Sequence, residues 1–258
     1  MIQGTSVIDP PTESAAPTSA VAPTRASTVT PGRQTRGATS SPTQPPGRRP
    51  RVHLGDAVVA VLALMADPSR LDQVFALGEA LNGPAFARML AQFEADPIGR
   101  DLLARRASLD TRSIDFAVLG ALPDGTLGRE YVRFLRDNGI DPEVWRPPHA
   151  WEDRSSWLSH RLRQTHDILH VLTGCASDVA GEVVLQAFTF AQLRTPSCLV
   201  IALFGTLKHR TRHPGLARRV WRAWRIGRRA QFLGSVSWEL LWHERVEILR
   251  ARFHVEPC

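Results

Sequence analysis

The sequence predicts an all-α fold, a single helical domain preceded by a disordered tail. Three observations predict it. From about Leu54 onward, apolar residues recur at three- and four-residue steps between short breaks that carry Pro, Gly or Asp. No run alternates with period two for long enough to suggest a sheet, and no repeat of fixed period occurs. The first fifty residues hold 9 of the 19 prolines and contain no Leu, Phe, Tyr or Trp. Such a stretch buries too little apolar area to offset the entropy of ordering it. The expected division is a Pro/Ser/Thr/Arg-rich tail over 1–52 and a helical domain over 53–258.

The tail has no apolar core of the kind a secretory signal needs. A mitochondrial presequence is the alternative, because Arg25, Arg33, Arg36, Arg48 and Arg49 outnumber the acids. Against it, the first 24 residues lack arginine and contain Asp9 and Glu13. After the tail, Asp56–Ala66 is apolar at nearly every position, as a buried helix would be, and Asp67-Pro68 stops it. Ser69–Leu81 follows, with Ser69 as N-cap and Asn82-Gly83-Pro84 as the stop. Phe86–Ala95, Ile98–Ala107 and Ser113–Leu122 repeat the pattern, separated by Asp96-Pro97 and the polar Ser108–Arg112. Pro123-Asp124-Gly125 reads as a turn, and Gly128–Asn138 as a helix ended by Gly139. A helix carrying His166 and His170 stops at Gly174, another begins near Asp178, a basic one runs from Gly215, and the last spans Ser237–Phe253.

Composition sets limits on function. Lys208 is the only lysine among 32 basic residues, so the net charge of +7 reflects an arginine-biased, GC-rich coding style as much as a partner. Cys175, Cys198 and Cys258 form no CxxC and cannot make a disulfide framework, which points to a reducing compartment. The longest apolar runs, Ala57–Ala66 and Cys198–Gly205, fall far short of the roughly 20 residues a membrane-spanning helix needs.

The chemistry concentrates in Ser159 to Gly174. On a helix, His166 and His170 stand one turn apart on one face, with Asp167 three residues before His170. Glu182 lies about one turn into the next helix, where a helix hairpin brings its carboxylate back toward the histidines. Two imidazoles and two carboxylates make an N/O site suited to a divalent metal, Zn first, with Fe, Mn or Co also compatible. Histidines four apart also arise by chance, and His209 and His213 supply an internal control. That second pair precedes Pro214 and has only basic neighbours. Spacing alone leaves the first set balanced between metal ligands and a polar helix face.

The residues also carry a resemblance. His166-Asp167-x-x-His170, eleven residues and Glu182 resemble the metal motif of the coenzyme Q biosynthesis protein 4 family. Leu122-Pro123-Asp124-Gly125-Thr126-Leu127-Gly128-Arg129-Glu130-Tyr131-Val132 is similar to that family's LPxGTLGxxYxxF segment. Gly227-Arg228-Arg229-Ala230 through Trp238-Glu239 resembles its C-terminal GxxAxxL…WE segment, and Arg245 to Arg250 its closing helix. The resemblance implies an all-α fold, peripheral membrane attachment and a role in ubiquinone biosynthesis. The implied activity is oxidative decarboxylation, carboxylate to hydroxyl, of a polyprenylated 4-hydroxybenzoate-type ring. It carries His166, Asp167, His170 and Glu182 over as metal ligands. Arg163, one turn before His166, is a candidate clamp for the substrate carboxylate, with an ordinary surface arginine as the alternative. The chain departs from the family at Gln164-Thr165, at Ile168 and at Trp157, where the family has Tyr.

Lys208 to Arg229 contains nine basic residues and no acid. Arg218, Arg222, Arg225 and Arg229 share one helical stripe, opposite Leu216, Val220, Trp224 and Gly227. Attraction to anionic headgroups, with Trp221 at the boundary, and a plain solvated face explain it equally. No nucleic-acid motif accompanies the stripe, so no nucleic-acid partner is expected. The expected partners are the polyprenylated precursor, a membrane surface, other quinone-biosynthesis enzymes and a possible second copy of the chain. The expected location is the cytoplasmic face of a bacterial membrane, with the matrix side of the mitochondrial inner membrane as the alternative. Two function classes stay open, a metal-dependent decarboxylase and a non-catalytic lipid-binding scaffold. An HD-type phosphohydrolase would need a further upstream His and downstream Asp around the site, and no convincing pair is present.

Overall fold

A computed structural model describes residues 80–142 and 153–258, together with 55–57, 59, 60, 63 and 76–78. The tail over 1–52 and most of the expected Asp56–Ala66 and Ser69–Leu81 helices lie outside the described residues. Among the described residues the structure is all-α, with one isolated antiparallel bridge between Thr126 and Arg245.

The helices are α1 (Gly83–Ala95), α2 (Pro97–Arg105), α3 (Phe116–Gly120), α4 (Leu127–Asp137), α5 (Arg154–Gln164) and α6 (His166–Thr173). They continue with α7 (Val179–Leu193), α8 (Pro196–His209), α9 (Leu216–Arg229) and α10 (Val246–Phe253), a 3-10 turn at Trp238–Leu240 preceding the last. Side-chain caps set several starts. Asp96 accepts from the Ile98 and Gly99 amides, Asp115 from Ala117 and Val118, and Asp178 from Gly181.

Three expectations need correction. Asn82-Gly83-Pro84 opens α1 instead of only ending the helix before it, because proline in a first turn forfeits no internal hydrogen bond. The Ser113–Leu122 helix shrinks to Phe116–Gly120, since Ser113 and Asp110 tie 110–114 into a side-chain-bonded turn. The Ser237–Phe253 helix does not form as one piece. The Leu127 and Gly128 amides take Glu244 and Trp242 carbonyls at 2.8 and 2.9 Å, pulling 241–245 out of helical bonding.

α7 is the centre of the main core and packs most extensively on α9 and α8. Val184, Leu185 and Phe188 are fully buried there, each contributing about 1.5–3 kcal/mol by leaving water. The α7–α9 approach is close enough that a Cβ on Gly227 would stand 2.8 Å from the Phe188 carbonyl oxygen. A second cluster joins α1 and α2 to α5 through Met89, Phe93, Leu102, Trp157 and Leu158. Trp157 stands edge-on to Phe93 and donates its indole N–H to the Ala107 carbonyl at 3.2 Å. Gln164 accepts from the Leu109 amide at 3.0 Å and donates to Ser108 Oγ at 2.8 Å. Two departures from the family pattern, Trp157 and Gln164, are therefore scaffold residues of α5.

Candidate metal centre

The helix bearing the motif breaks at Thr165, so Arg163 lies in the last turn of α5 while His166 opens α6. The break is slight, because the Thr165 amide still bonds the Arg161 carbonyl and the Leu169 amide bonds that of Thr165. Gly174, at φ +70°, stops α6. Four residues later Asp178 caps α7, accepting from the Gly181 amide at 2.7 Å. The turn between is tight enough that a Cβ on Gly181 would lie 2.0 Å from the Ala176 carbonyl oxygen. Only glycine admits this hairpin, and the hairpin places Glu182 in the first turn of α7 against the α6 histidines.

Glu182 Oε1 lies 3.0 Å from His170 Nε2, and Oε2 lies 3.3 Å from His166 Nε2. The two Nε2 atoms are 3.3 Å apart, on rings set nearly perpendicular at 87°. Asp167 joins them from the buried side. Donor atoms of His166, Asp167 and His170 all fall within 4.8 Å of one another, and no other such group occurs among the described residues. All four motif residues are brought together.

The hydrogen-bond geometry calls for a shared proton or a metal ion here. His170 Nδ1 is 2.9 Å from the Cys175 carbonyl oxygen, which only accepts, so Nδ1 carries the hydrogen. Nε2 of His170 then presents a lone pair to a carboxylate oxygen and to another ring nitrogen. That arrangement holds only with a proton or a metal ion at its centre. Burial opposes the charged form of Glu182, yet hydrogen bonds and charge from His166 and His170 hold its pKa down at about 2. Burial likewise opposes the imidazolium of His166, but Glu182 and Asp167 outweigh it and raise the pKa. Burial raises Asp167, with the Glu182 charge adding to it against the two histidines. A site that stabilises positive charge between two carboxylates, with two ring nitrogens converging, fits a divalent metal.

On the far side of His170, Phe134 of α4 stacks on the imidazole at 5.0 Å between centroids. A cavity of about 570 Å³ opens beside it, reaching from Gly125 to Arg250 past His170 and Gly174. Tyr131 is buried and stacked on Trp242. Burial, and then the nearby Asp167 charge, push its phenol well above the ordinary range, so it stays protonated.

The family model for coenzyme Q (ubiquinone) biosynthesis protein Coq4 matches residues 50–258. The chain belongs to the Coq4 family. It is 34% identical over 200 residues to the mitochondrial ubiquinone biosynthesis protein COQ4 homolog of Xenopus tropicalis, covering 77% of this chain and 71% of the frog protein. The Homo sapiens homolog, likewise described as mitochondrial, is 31% identical over 194 residues, 74% of this chain and 73% of the human one. Among solved structures, a Nostoc punctiforme protein described as a candidate ubiquinone biosynthesis protein superposes with a TM-score of 0.63 at 27% identity. That match covers 78% of this chain and 98% of the Nostoc chain.

The Coq4 resemblance held a signal that residue-by-residue reading of the site missed. The Y and F of LPxGTLGxxYxxF are Tyr131 and Phe134, the two aromatics that stand against the centre from α4. Neither spacing nor charge marks them as site residues, because at i, i+3 they read as a core stripe.

Proposed function

We propose that this chain binds a divalent metal through His166, Asp167, His170 and Glu182 and acts on a polyprenylated 4-hydroxybenzoate-type ring in ubiquinone biosynthesis. The reaction is an oxidative decarboxylation. The bond between ring and carboxylate carbon is replaced by a bond to an oxygen taken from water, carbon dioxide leaves, and two electrons and two protons pass to dioxygen, giving hydrogen peroxide. Family membership supports the pathway. The observation that carries the chemistry is the convergence of His166 Nε2, His170 Nε2 and the Glu182 carboxylate within 3.3 Å.

The metal, Zn²⁺ before Fe²⁺, Mn²⁺ or Co²⁺, would supply Lewis acidity toward the ring carboxylate or the adjacent phenolate. The chain's own residues do the rest. Cys175 fixes the His170 tautomer through its carbonyl, and Phe134 shields one face of that ring from water. Tyr131 holds its phenolic proton beside Asp167. Arg163, in the last turn of α5, would serve as the substrate carboxylate clamp.

The chain works at a membrane surface. No helix among the described residues is long and apolar enough to span one. Leu203, Phe204 and Leu207 of α8 are exposed, and on α9 Trp221 is exposed in the same helix as the exposed Arg218, Arg222, Arg225 and Arg229. Apolar side chains beside a basic stripe suit an anionic lipid face. The mitochondrial descriptions of the vertebrate relatives support the mitochondrial alternative. The same exposed apolar face supports the second reading, a scaffold that gathers other quinone-biosynthesis enzymes or a second copy of the chain.

Mass spectrometry of quinone intermediates tests the first reading, with the gene deleted and restored as wild type or His170→Ala. The expected result is a prenylated ring still carrying its carboxylate, cleared by wild type alone. Unchanged quinones and intermediates would overturn the decarboxylase. If His170→Ala instead prevents assembly with other quinone enzymes, the scaffold reading takes its place.

A further inference from the structure

The last carbonyls of a helix have no partners within it. In α6 all four are answered from elsewhere or by the cap. The Gly174 amide takes the His170 carbonyl at 2.8 Å, and the Cys258 amide takes that of Thr173 at 2.8 Å. The remaining two belong to a single side chain. Arg250 of α10 donates Nε to the Leu172 carbonyl at 2.7 Å and Nη2 to the Val171 carbonyl at 3.1 Å. Its charge sits at the negative end of the α6 dipole, where a cation is favoured.

Arg250 is itself aimed by the turn at Gly125. The Val246 amide bonds the Gly125 carbonyl at 2.8 Å, and Leu127 and Gly128 bond the Glu244 and Trp242 carbonyls. Three of the stretches that carry the family resemblance are thus physically continuous. The 122–128 turn holds the start of α10, α10 holds Arg250, and Arg250 holds the end of the helix bearing the two histidines. Between Val171 and Cys175 lies the short path from His170 to its own Nδ1 partner, the Cys175 carbonyl.

We propose that Arg250 is a positioning residue for the metal centre. By clamping the Val171 and Leu172 carbonyls it holds the turn that presents the Cys175 carbonyl to His170, and so fixes the direction of His170 Nε2. It acts through these two carbonyls and not as a metal ligand. This inference rests on reading the cluster as a metal site.

The test uses the full chain, metal-free, titrated with Co²⁺ and followed by the visible absorption of the bound ion, a readout that general destabilisation leaves alone. Arg250→Ala is expected to bind Co²⁺ about 10- to 100-fold more weakly with an altered spectrum, the usual loss for an outer-shell partner of a metal ligand. Arg250→Lys, keeping the charge and a donor, restores most of that loss. Arg100→Ala on the exposed face of α2 changes nothing. A folded Arg250→Ala chain with affinity within about twofold of wild type and an unchanged spectrum overturns the proposal. If the alanine variant does not fold, Arg250→Gln decides by the same criterion. A wild-type chain that takes up no Co²⁺ removes the metal reading and this inference together, which separates that failure from a failure of the clamp alone.

Discussion

His166 and His170 share their four-residue spacing with His209 and His213, yet the two pairs stand in opposite electrostatic surroundings. The first pair lies within one helix and faces a carboxylate delivered by the next, with ring centroids 4.9 Å apart. The second straddles the end of α8, with centroids 6.4 Å apart and Lys208, Arg210 and Arg212 around it. Burial, then the charges of Lys208, His213 and Arg212, push His209 below the ordinary imidazole range, while Glu182 and Asp167 carry His166 above it despite burial. Spacing brings two imidazoles together. What makes a cation site is the carboxylate on a second element and a carbonyl that fixes one ring's tautomer.

The sharpest way to break this comparison is to remove one histidine from each pair. Wild type is expected to retain about one divalent ion per chain after dialysis, the number its single cluster accommodates. His170→Ala should weaken metal binding by about 100-fold or more, beyond the usual outer-shell loss, and His209→Ala not at all. Elemental analysis of the dialysed proteins checks it, and equal retention in both variants would sink the distinction. Glu182→Gln comes next. It keeps the shape and removes the charge, so affinity should fall about 10- to 100-fold, measured by competition with a chromophoric chelator. Metal at 100 times its dissociation constant should stabilise wild type and His209→Ala by about 2.7 kcal/mol, an increment absent from His170→Ala in thermal melts. Phe134→Leu is milder. Losing a stacked ring worth about 0.5–1.5 kcal/mol predicts a two- to tenfold drop in metal affinity with the fold intact.

The site was legible where local rules decide it, and obscure where the partner is distant. Gly174, Asp178 and Glu182 could be placed because a helix stop, an N-cap and a one-turn offset are all short-range signals. The basic stripe of α9 was also readable, since four arginines at helical spacing need only the helix to exist. By contrast, the apolar pattern of Ser237–Phe253 suits a helix. Only the backbone of the 125–128 turn, from the other half of the chain, takes the Trp242 and Glu244 carbonyls away from it. Arg250 was hidden for the same reason. On its own helix it is one more arginine, and its role appears only when α10 lies against the end of α6. The Thr165 break is subtler still, a slight interruption that keeps the flanking hydrogen bonds and leaves the His166–His170 spacing untouched.

The smallest effect is also the one in which the two pairs should move in opposite directions. In the metal-free protein His166 has a folded pKa above its unfolded value near 6.5. Its stabilisation is therefore fully present below about pH 6.5 and is lost as pH rises through the folded pKa. His209 has a folded pKa below that value, so its stabilisation is present above about pH 6.5 and is lost as pH falls. Glu182, lowered from 4.5 to about 2, adds stability above its unfolded pKa that disappears as pH falls from 4.5 toward 2. Imidazole titrations by NMR should place the His166 midpoint above that of His209. Glu182→Gln should bring the His166 midpoint down and leave His209 in place, because the carboxylate is what offsets the burial of His166. A His166 midpoint that ignores the substitution would mean that Glu182 does not govern the charge at the centre. The contrast between the pairs would then rest on geometry alone.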